Sequence, residues 1–431
     1  MADDRFTAIV VGAGPAGAST ALVLARQGVD VLLVERAETP GSKNMFGGRM
    51  YSWALHRLLP GFWEEAPVER VVTREVLTLL EGERALSLSF QDPAWGRQPC
   101  HSFTLLRADF DAWLAAKAEE EGAVLAAGIR VDDLLWEEGK VAGIRAGDDE
   151  IRSEVVVLAD GANSLLTEKA GLRSRILPHQ VGTGFKQVIA LPEDVITARF
   201  GLEPGQGLAQ LFVGACTRHL QGGGFLYTNR STLSLGLVVN AASLQSSPAG
   251  PAELLEDFKS LPCIAPLVEG GEVVEYSAHL VPEAGLGMKP QLVGDGVLVA
   301  GDAAGMVINL GYLVRGMDLA VASGEAAAHT VLEARARNDF SRASLAAYET
   351  WLQRTAVLPA MEAYRQAPHF LDTERIYRTY PALATGVAAR LFTVDGSAPV
   401  HLLEALLAGL KASGTGVVSV AMDAWKGGRA L

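Results

Sequence analysis

The first 36 residues constrain the fold of this chain more than any other segment. Residues 8–11 form an uncharged, β-branched run of the kind found in buried strands, and they lead directly into Gly-Ala-Gly-Pro-Ala-Gly at residues 12–17. An Ala- and Leu-rich helix is predicted over 16–27, and a second buried strand over 29–34 ends at Glu35. This order of strand, glycine-rich turn, helix, strand and acid is typical of a parallel sheet that binds a dinucleotide.

The residues of this unit have specific functions in such a site. Gly12 permits the tight turn, Gly14 allows the backbone to approach a pyrophosphate, and Gly17 allows the helix to pack closely against the strand. The helix N-terminus offers N–H groups to the phosphates, and Glu35 can accept hydrogen bonds from a ribose. The pattern by itself does not separate NAD from FAD. The candidate dinucleotide-binding residues here are Gly12, Gly14, Pro15, Ala16, Gly17, Glu35 and Arg36.

Three later segments resemble the FAD-binding elements of flavoprotein hydroxylases and reductases. A short strand followed by Gly301 and Asp302 resembles their second FAD motif, which implies that Asp302 lies near the ribityl chain or the pyrophosphate. Asp160 and Gly161 lie in a segment that resembles the family's strand-Asp-Gly element, and Arg107 matches an arginine at a helix start that commonly faces the cofactor. A solvated helix start is the alternative for Arg107. The resemblance implies FAD, and since no second glycine fingerprint follows, we expect an electron donor other than tightly held NAD(P)H.

Residues 309–328, which contain Arg-Gly-Met-Asp-Leu-Ala, resemble the FixC branch of the electron-transfer-flavoprotein:quinone oxidoreductase family, as do 43–48, 371–377 and 394–396. The segment before the helix predicted at 317–336 is suited to clamping a flavin, because a helix N-terminus stabilises the negative charge of the reduced ring. Arg315 is a candidate tuner of the flavin potential, with an interdomain salt bridge as the alternative. The further candidate cofactor-binding residues are Gly47, Gly48, Val131, Asn309, Leu310 and Gly311.

The cysteines limit what this chain can carry alone. Cys100, Cys216 and Cys263 are far apart and form no C-x-x-C pair, so we predict no iron–sulfur or other metal site within the chain. Mitochondrial-type members of the family carry a four-iron cluster, whereas the FixC resemblance implies a separate small ferredoxin-like iron–sulfur subunit. It also implies an electron-bifurcating flavoprotein with alpha and beta subunits as the NADH-oxidising donor, and a membrane quinone as the acceptor.

The predicted fold class is α/β: a glutathione-reductase-type FAD-binding Rossmann domain, an antiparallel-sheet quinone domain and a helical C-terminal region. Aromatic residues of the quinone domain are candidates for its pocket, although core positions are the alternative: Phe185, Phe212, Phe225 and Tyr227. The predicted boundaries are 1–60, 100–170 and 290–345 for the FAD domain, 61–99 and 171–289 for the quinone domain, and 346–431 for the helical region, where the iron–sulfur partner would dock.

Composition and charge limit which partners the protein can bind and where in the cell it is expected. A net charge of −13 without a basic cluster excludes nucleic acid as a favoured partner. The short, charged segment 1–7 leads us to expect no signal peptide, and no apolar run approaches the roughly 18 residues that a spanning helix needs. We therefore expect a cytoplasmic protein, peripheral on the inner face of the cell membrane. The leucines at 402–407 form an apolar stripe that we expect to be buried against the body of the protein.

The function that these features favour is an FAD-dependent oxidoreductase subunit that accepts electrons from an electron-transfer flavoprotein and passes them to quinone. No catalytic side chain is predicted, because the flavin carries the redox chemistry. Three alternatives remain open at this point. They are a geranylgeranyl-reductase-like enzyme that saturates isoprenoid double bonds, an aromatic monooxygenase, and a structural flavoprotein without turnover.

Overall fold

The elements follow the predicted order of strands and helices in the computed structural model, which describes residues 5–43 and 48–431. Within these ranges the strands are β1 (Arg5–Val11), β2 (Val31–Val34), β3 (Arg49–Tyr51), β4 (Val71–Glu81), β5 (Arg84–Gln91), β6 (Ser102–Thr104), β7 (Val124–Ala126), β8 (Asp133–Glu137), β9 (Lys140–Ala146), β10 (Asp149–Leu158), β11 (Val181–Ala190), β12 (Gln206–Gly214), β13 (Gly222–Thr228), β14 (Thr232–Asn240), β15 (Glu272–Pro282), β16 (Val293–Gly294), β17 (Val297–Val299), β18 (Ile308–Asn309) and β19 (Val314–Arg315).

The helices of the same ranges alternate with these strands at first and then follow one another without interruption. They are α1 (Pro15–Arg26), α2 (Ser52–Leu58), α3 (Arg107–Glu120), α4 (Leu165–Lys169), α5 (Glu193–Phe200), α6 (Ala241–Gln245), α7 (Pro251–Ser260), α8 (Ala265–Val268), α9 (Met317–Arg337), α10 (Arg342–Leu345), α11 (Ala347–Arg354), α12 (Val357–Ala363), α13 (Ala367–Leu371), α14 (Thr379–Phe392), α15 (Leu402–Ala412) and α16 (Val417–Ala430).

The first sheet is built on the buried strand β1. Its order is β16-β17-β10-β1-β2-β7, with β1 parallel to β2 and β10, and with β8 and β9 forming an antiparallel meander on β10. Uncharged, β-branched strands suit this position because a parallel sheet is covered on both faces. Helices α1 and α9 pack so closely that a Cβ at Gly324 would lie 2.2 Å from the carbonyl oxygen of Ala16. The Thr20 hydroxyl donates to the Gly324 carbonyl at 3.0 Å across this contact.

The second sheet has the order β15-β11-β14-β13-β12-β4-β6-β3, with β5 on β4. It is antiparallel apart from the pair β4 and β12, which run parallel. Because side chains alternate along a strand, one face contributes Phe185, Phe212 and Leu226 to a core with Phe258 of α7, while the other face is directed at the first sheet. Strands β3 and β6 lie in segments predicted for the FAD domain but are hydrogen-bonded in this sheet.

The C-terminal helices differ from the expectation at one place. The predicted burial of the leucine stripe at 402–407 is wrong, since Leu403 is 67% exposed, and its neighbours in the stripe are exposed as well. Helix α15 instead presents its small residues to the body, and a Cβ at Gly409 would lie 2.9 Å from Leu383 of α14. No single helix of the described chain is long and apolar enough to cross a membrane. Helices α15 and α16 together have the required length and apolar composition, but they are bent by 97° relative to each other.

Candidate FAD and substrate site

A cavity of about 830 Å³ is lined by residues of both sheets and of the C-terminal helices. Its size is within the range of cavities that hold organic ligands. At one end lie the glycine-rich turn after β1 and the end of β2, β15 runs along the lining, and at the other end lie Gln221 before β13, Glu283 after β15 and the segment after α13. The predicted site residues that line it are Gly12, Gly14, Pro15, Ala16, Glu35, Arg36, Gly48, Arg107, Val131, Asp160, Gly161, Asp302, Asn309 and Gly311.

The glycine-rich turn has the geometry of a phosphate cradle. Gly12 adopts a φ of +101°, and a Cβ there would lie 2.3 Å from the carbonyl oxygen of Ala159. Gly17 is required for packing, because its Cβ would lie 1.8 Å from the carbonyl oxygen of Gly12. Helix α1 begins at Pro15 with a buried first turn, so its N-terminal dipole is directed at the cavity. These residues therefore fit the pyrophosphate of a dinucleotide.

Glu35 lies at the end of β2 and organises the turn through its carboxylate. Its Oε2 accepts a hydrogen bond from the Ala13 N–H at 3.0 Å, and its Oε1 accepts one from the Ala37 N–H at 2.8 Å. A carboxylate has about four acceptor positions, so two remain for ribose hydroxyls. The structure thus places Glu35 where a ribose-binding acid is expected, and it shows a second function in fixing the turn.

Arg107 lies beside the cradle in an ion pair that sequence reasoning missed. Its Nε and Nη2 donate to Oδ1 and Oδ2 of Asp111 at 2.8 and 2.6 Å, and both residues are buried. The four-residue spacing of the pair on α3 was the available signal. Nη2 of Arg107 lies 3.6 Å from the position that a Cβ on Gly14 would occupy. Burial raises the pKa of Asp302, and the positive charge of Arg107 opposes that shift.

Asp160 is the polar residue at the end of β10. Its Oδ2 accepts a hydrogen bond from the Leu166 N–H at 3.4 Å, while its Oδ1 is buried without a hydrogen-bond partner among the described residues. Burial raises the pKa of Asp160 to about 6, and the charges of Arg173 and Arg36 oppose that shift. An unpartnered oxygen on the cavity wall is consistent with a group that a bound ligand completes.

The predicted clamp before α9 is present as a short hairpin of β18 and β19. Gly311 has a φ of +78°, and its N–H donates to the side chain of Asn309 at 2.9 Å. Gly316 and Met317, at the start of α9, also line the cavity. The N-terminal end of a long helix thus lies at the cavity wall, where it would stabilise negative charge on a flavin.

Four of the predicted site residues lie outside the cavity lining, namely Gly17, Gly301, Leu310 and Arg315. The guanidinium of Arg315 is bound to Asp318, with Nε 2.8 Å from Oδ2, and lies 5.8 Å from the ring centre of Trp53. Because Asp318 is three residues further along, this pair is local and is not the interdomain bridge that was the alternative. Gly47 falls at 44–47, outside the described residues.

The predicted pocket aromatics divide between the two faces of the second sheet. Phe225 and Tyr227 line the cavity, with their ring centres 5.1 Å apart. Phe185 is fully buried in the core on the opposite face, and Phe212, although it contacts the cavity wall, packs its ring against Phe258 at 5.1 Å. The core alternative is therefore the correct one for Phe185 and Phe212.

The far end of the cavity contains polar residues that sequence reasoning missed. Glu283 follows β15, and burial raises its pKa to about 7. His279, on β15, lies nearer the cradle: burial and the positive charges of Arg107 and Arg36 lower its pKa to about 4, and its Nε2 has no hydrogen-bond partner in the described chain. Asp372 and Tyr377 line the far end from the C-terminal region. The residues on and after β15 are far in sequence from Asp372 and Tyr377, which lie in the segment 371–377 that resembles the FixC branch, so only the fold brings the two groups together.

The nucleotide-binding unit, the buried acids and the cavity that extends from them to the second sheet define an FAD-dependent oxidoreductase, and comparison with known proteins agrees. A family model described as FAD dependent oxidoreductase matches residues 8–182, and one described as ETF-QO/FixC family C-terminal domain matches 367–431. Protein FixC of Escherichia coli O157:H7 is 49% identical over 427 residues, which cover 99% of each chain. The probable electron transfer flavoprotein-quinone oxidoreductase YdiS of Escherichia coli strain K12 is 45% identical over 431 residues, which cover 100% of each.

The chain belongs to the ETF-QO/FixC family, and FAD is its cofactor. The predictions of family, fold class and cofactor are confirmed. Among solved structures, a geranylgeranyl bacteriochlorophyll reductase-like protein of Thermoplasma acidophilum matches with a TM-score of 0.73 and 21% identity, covering 97% of this chain and 99% of that one. At that identity the match shows the same fold. No group of three or more side chains suited to binding a metal occurs within 5–43 and 48–431.

Proposed function

We propose that this chain is the FAD subunit of an electron-transfer complex and reduces a membrane quinone with electrons from an electron-transfer flavoprotein. The observation that carries the proposal is the continuity of the cavity, which extends from the phosphate cradle at Gly12 to a lobe lined by Phe225 of the second sheet and Leu371 of the C-terminal helices. Bound FAD supplies the electron transfer. A ring-shaped acceptor in the lobe would share one cavity with the cofactor.

The residues of the lobe suit the head group of a quinone. Leu211, Phe225 and Ile376 offer apolar and aromatic walls, and Glu283 and Asn240 offer polar groups at one end. Apolar walls exclude water from a flat ring, and a few polar groups orient its carbonyl oxygens. This combination favours a substrate that needs electrons and protons at defined atoms.

The proposed partners follow from the family. The donor would be an electron-bifurcating flavoprotein with alpha and beta subunits that oxidises NADH. A small ferredoxin-like subunit would carry an iron–sulfur cluster, since the three dispersed cysteines of this chain are too few for a four-iron site. The small iron–sulfur subunit would dock on the helical segment 346–431, as predicted from the sequence. The names of the relatives support an electron-transfer assignment.

The exposed apolar residues of α15 and α16 support a position on the membrane surface. The pair presents Leu403, Val418 and Trp425 to solvent at 67%, 74% and 61% exposure. Exposed Lys and Arg side chains accompany them, although the chain as a whole has a net charge of −13. Apolar faces with Trp and basic residues are typical of helices that lie in the membrane interface. We propose that this face contacts the inner surface of the cell membrane.

The test reconstitutes the FAD-loaded chain with an electron-bifurcating flavoprotein, the small iron–sulfur subunit and vesicles containing quinone. We expect NADH-dependent formation of quinol that stops when the flavoprotein is omitted. Phe225→Ala should raise the KM for quinone without changing the FAD content, whereas Phe90→Ala, on the exposed strand β5, should leave both unchanged. Absence of quinol formation by the complete wild-type assembly contradicts the proposal, and saturation of a prenylated lipid would favour the reductase alternative.

A further inference from the structure

We propose that Glu283 is the acid that protonates the bound quinone, and that Asp372 connects this carboxyl to solvent. The inference rests on the proposed quinone reduction. Conversion of a quinone to a quinol adds two electrons and two protons, so that both carbonyl oxygens become hydroxyls. Electrons come from the donor flavoprotein through the bound cofactor. Glu283 transfers its proton to the nearer oxygen and is reprotonated from solvent, while the other oxygen takes its proton from water.

The fold makes room for the Glu283 carboxyl at the wall of the cavity. A Cβ at Gly182, on the neighbouring strand β11, would lie 2.7 Å from Oε1 and 2.8 Å from Cδ of Glu283. The glycine thus leaves the space that the carboxyl occupies. The Glu283 N–H donates to the carbonyl of Gln180 at 2.9 Å, which fixes the backbone from which the side chain extends.

The hydrogen bonds of this carboxyl suit a group that exchanges a proton. Oε2 accepts from the Asn240 amide at 3.3 Å, and the same amide nitrogen donates to the carbonyl of His179 at 3.2 Å. Among the described residues, no Lys, Arg or His side chain lies within ion-pair distance of Glu283. A neutral donor does not hold the carboxylate in its charged form as a cation would. Glu283 can therefore carry a proton near neutral pH.

The charged surroundings strengthen this effect. Burial is the main cause of the raised pKa of Glu283, about 7; the hydrogen bond from Asn240 opposes the shift, and the negative charge of Asp372 adds to it. The other titratable groups that line the cavity from the elements packed here are Tyr377, whose hydroxyl donates to the Leu371 carbonyl at 2.7 Å, the guanidinium of Arg365, and the imidazoles of His179, His279 and His369. A carboxyl that titrates close to the working pH is effective as a general acid.

Asp372 supplies the route to solvent. It is exposed at the end of α13, yet it also lines the cavity, and its Oδ1 accepts a hydrogen bond from the Gln221 amide at 3.0 Å. A carboxylate that reaches both water and the cavity can pass protons to a buried acid. The internal proton donor and the carboxylate that we propose as its supply thus line one cavity, close enough for the charge of Asp372 to act on Glu283.

The test compares two acceptors in the FAD-loaded complex carrying Glu283→Gln. Quinone takes up protons on reduction, whereas ferricenium takes one electron and no proton. We expect the quinone turnover number to fall by about 100-fold, as for loss of a general acid, while the ferricenium rate stays within about twofold. The wild-type quinone rate should fall as the pH rises through about 7, because Glu283 loses its proton, and the variant should lack this inflection. Glu283→Asp should recover part of the rate.

Two further measurements separate a catalytic function from a structural one. Infrared spectroscopy should show the carbonyl band of a protonated carboxylic acid below the pKa of Glu283, and that band should be missing in Glu283→Gln. Glu272→Gln, an exposed position at the opposite end of the strand β15 that Glu283 follows, is the matched control and should change neither rate. Equal losses with both acceptors, or normal quinone turnover by Glu283→Gln, overturn the assignment of Glu283. Failure of the wild-type complex to reduce quinone overturns the proposed function itself.

Discussion

Arg107 and Asp111 form a two-pronged ion pair, at 2.8 and 2.6 Å, that is buried beside the phosphate cradle. Burial of such a pair costs free energy, because both charges lose their hydration. The attraction and the hydrogen bonds between the two groups must offset this desolvation cost. Here the pair has a further consequence. It fixes a guanidinium next to Gly14, where the phosphates of a dinucleotide are expected.

Removal of one partner should therefore be costly. We expect Asp111→Ala to lower the free energy of unfolding by about 3–5 kcal/mol, because it leaves the Arg107 charge buried without its carboxylate. Urea unfolding monitored by circular dichroism measures the change, and FAD titration should show weaker binding. The control is Glu121→Ala, which breaks the half-exposed pair with Arg26 and should cost no more than about 1 kcal/mol. Equal losses in the two variants would contradict this account.

Gly17 provides a second prediction. Gly17→Ala places a Cβ 1.8 Å from the carbonyl oxygen of Gly12, so α1 can no longer approach β1 and the cradle is distorted. We expect the purified variant to lack FAD, measured as the ratio of flavin to protein absorbance. In contrast, Gly386→Ala lies within α14 with open space around it and should increase stability by about 1 kcal/mol. A Gly17→Ala protein with full FAD content would show that the close contact is not required.

The dinucleotide unit could be predicted from the sequence because every residue of the cradle lies within 36 positions, and local spacing encodes its geometry. The lobe could not be predicted in the same way. Glu283 follows β15, Asn240 ends β14 and Asp372 follows α13, so their proximity depends on how the second sheet and the C-terminal helices pack. Residue type also does not indicate on which face of the sheet a side chain lies. Phe185 and Phe225 are both aromatic, but the register of β11 and β13 places them on opposite sides.

The leucines of α15 show a related limit. Their spacing predicts an apolar stripe, but it does not state which surface the stripe covers. Ala405 and Gly409 lie on another side of the same helix, and their small size allows a closer approach to α14. The packing of these small residues against α14 therefore sets the orientation of α15, and its leucines face solvent.

Asp160 predicts how stability depends on pH. Its pKa is about 6 in the folded protein, against about 3.9 in an unfolded chain, so the folded state binds the extra proton between these values. The free energy of unfolding should then fall as the pH rises from about 4 to about 6. Asp160→Asn removes this contribution and should stabilise the FAD-free protein at neutral pH by no more than about 3 kcal/mol. Urea unfolding across this range tests it.

The matched control for this prediction is Asp149→Asn, an exposed position at the start of the same strand β10. It should preserve the slope of stability against pH that the wild-type protein shows. If Asp160→Asn also keeps that slope, the charges of Arg173 and Arg36 hold the carboxylate ionised more strongly than its burial opposes ionisation.

The exposed face of α15 yields the last prediction. Exchange of its outward leucines for serine should abolish sedimentation with vesicles of mixed neutral and anionic lipids, because each buried CH₂ contributes about 0.8 kcal/mol to membrane binding. The exchanged residues are Leu402, Leu403, Leu406 and Leu407. FAD content should stay unchanged, since none of the four lines the cavity.

The control replaces Leu88 and Phe90, which are exposed at 73% and 56% on β5, with serine. It removes apolar surface elsewhere and should leave vesicle binding intact. If the α15 variant still sediments with vesicles but no longer retains the small iron–sulfur subunit, this face binds the partner, and the membrane contact lies on another surface.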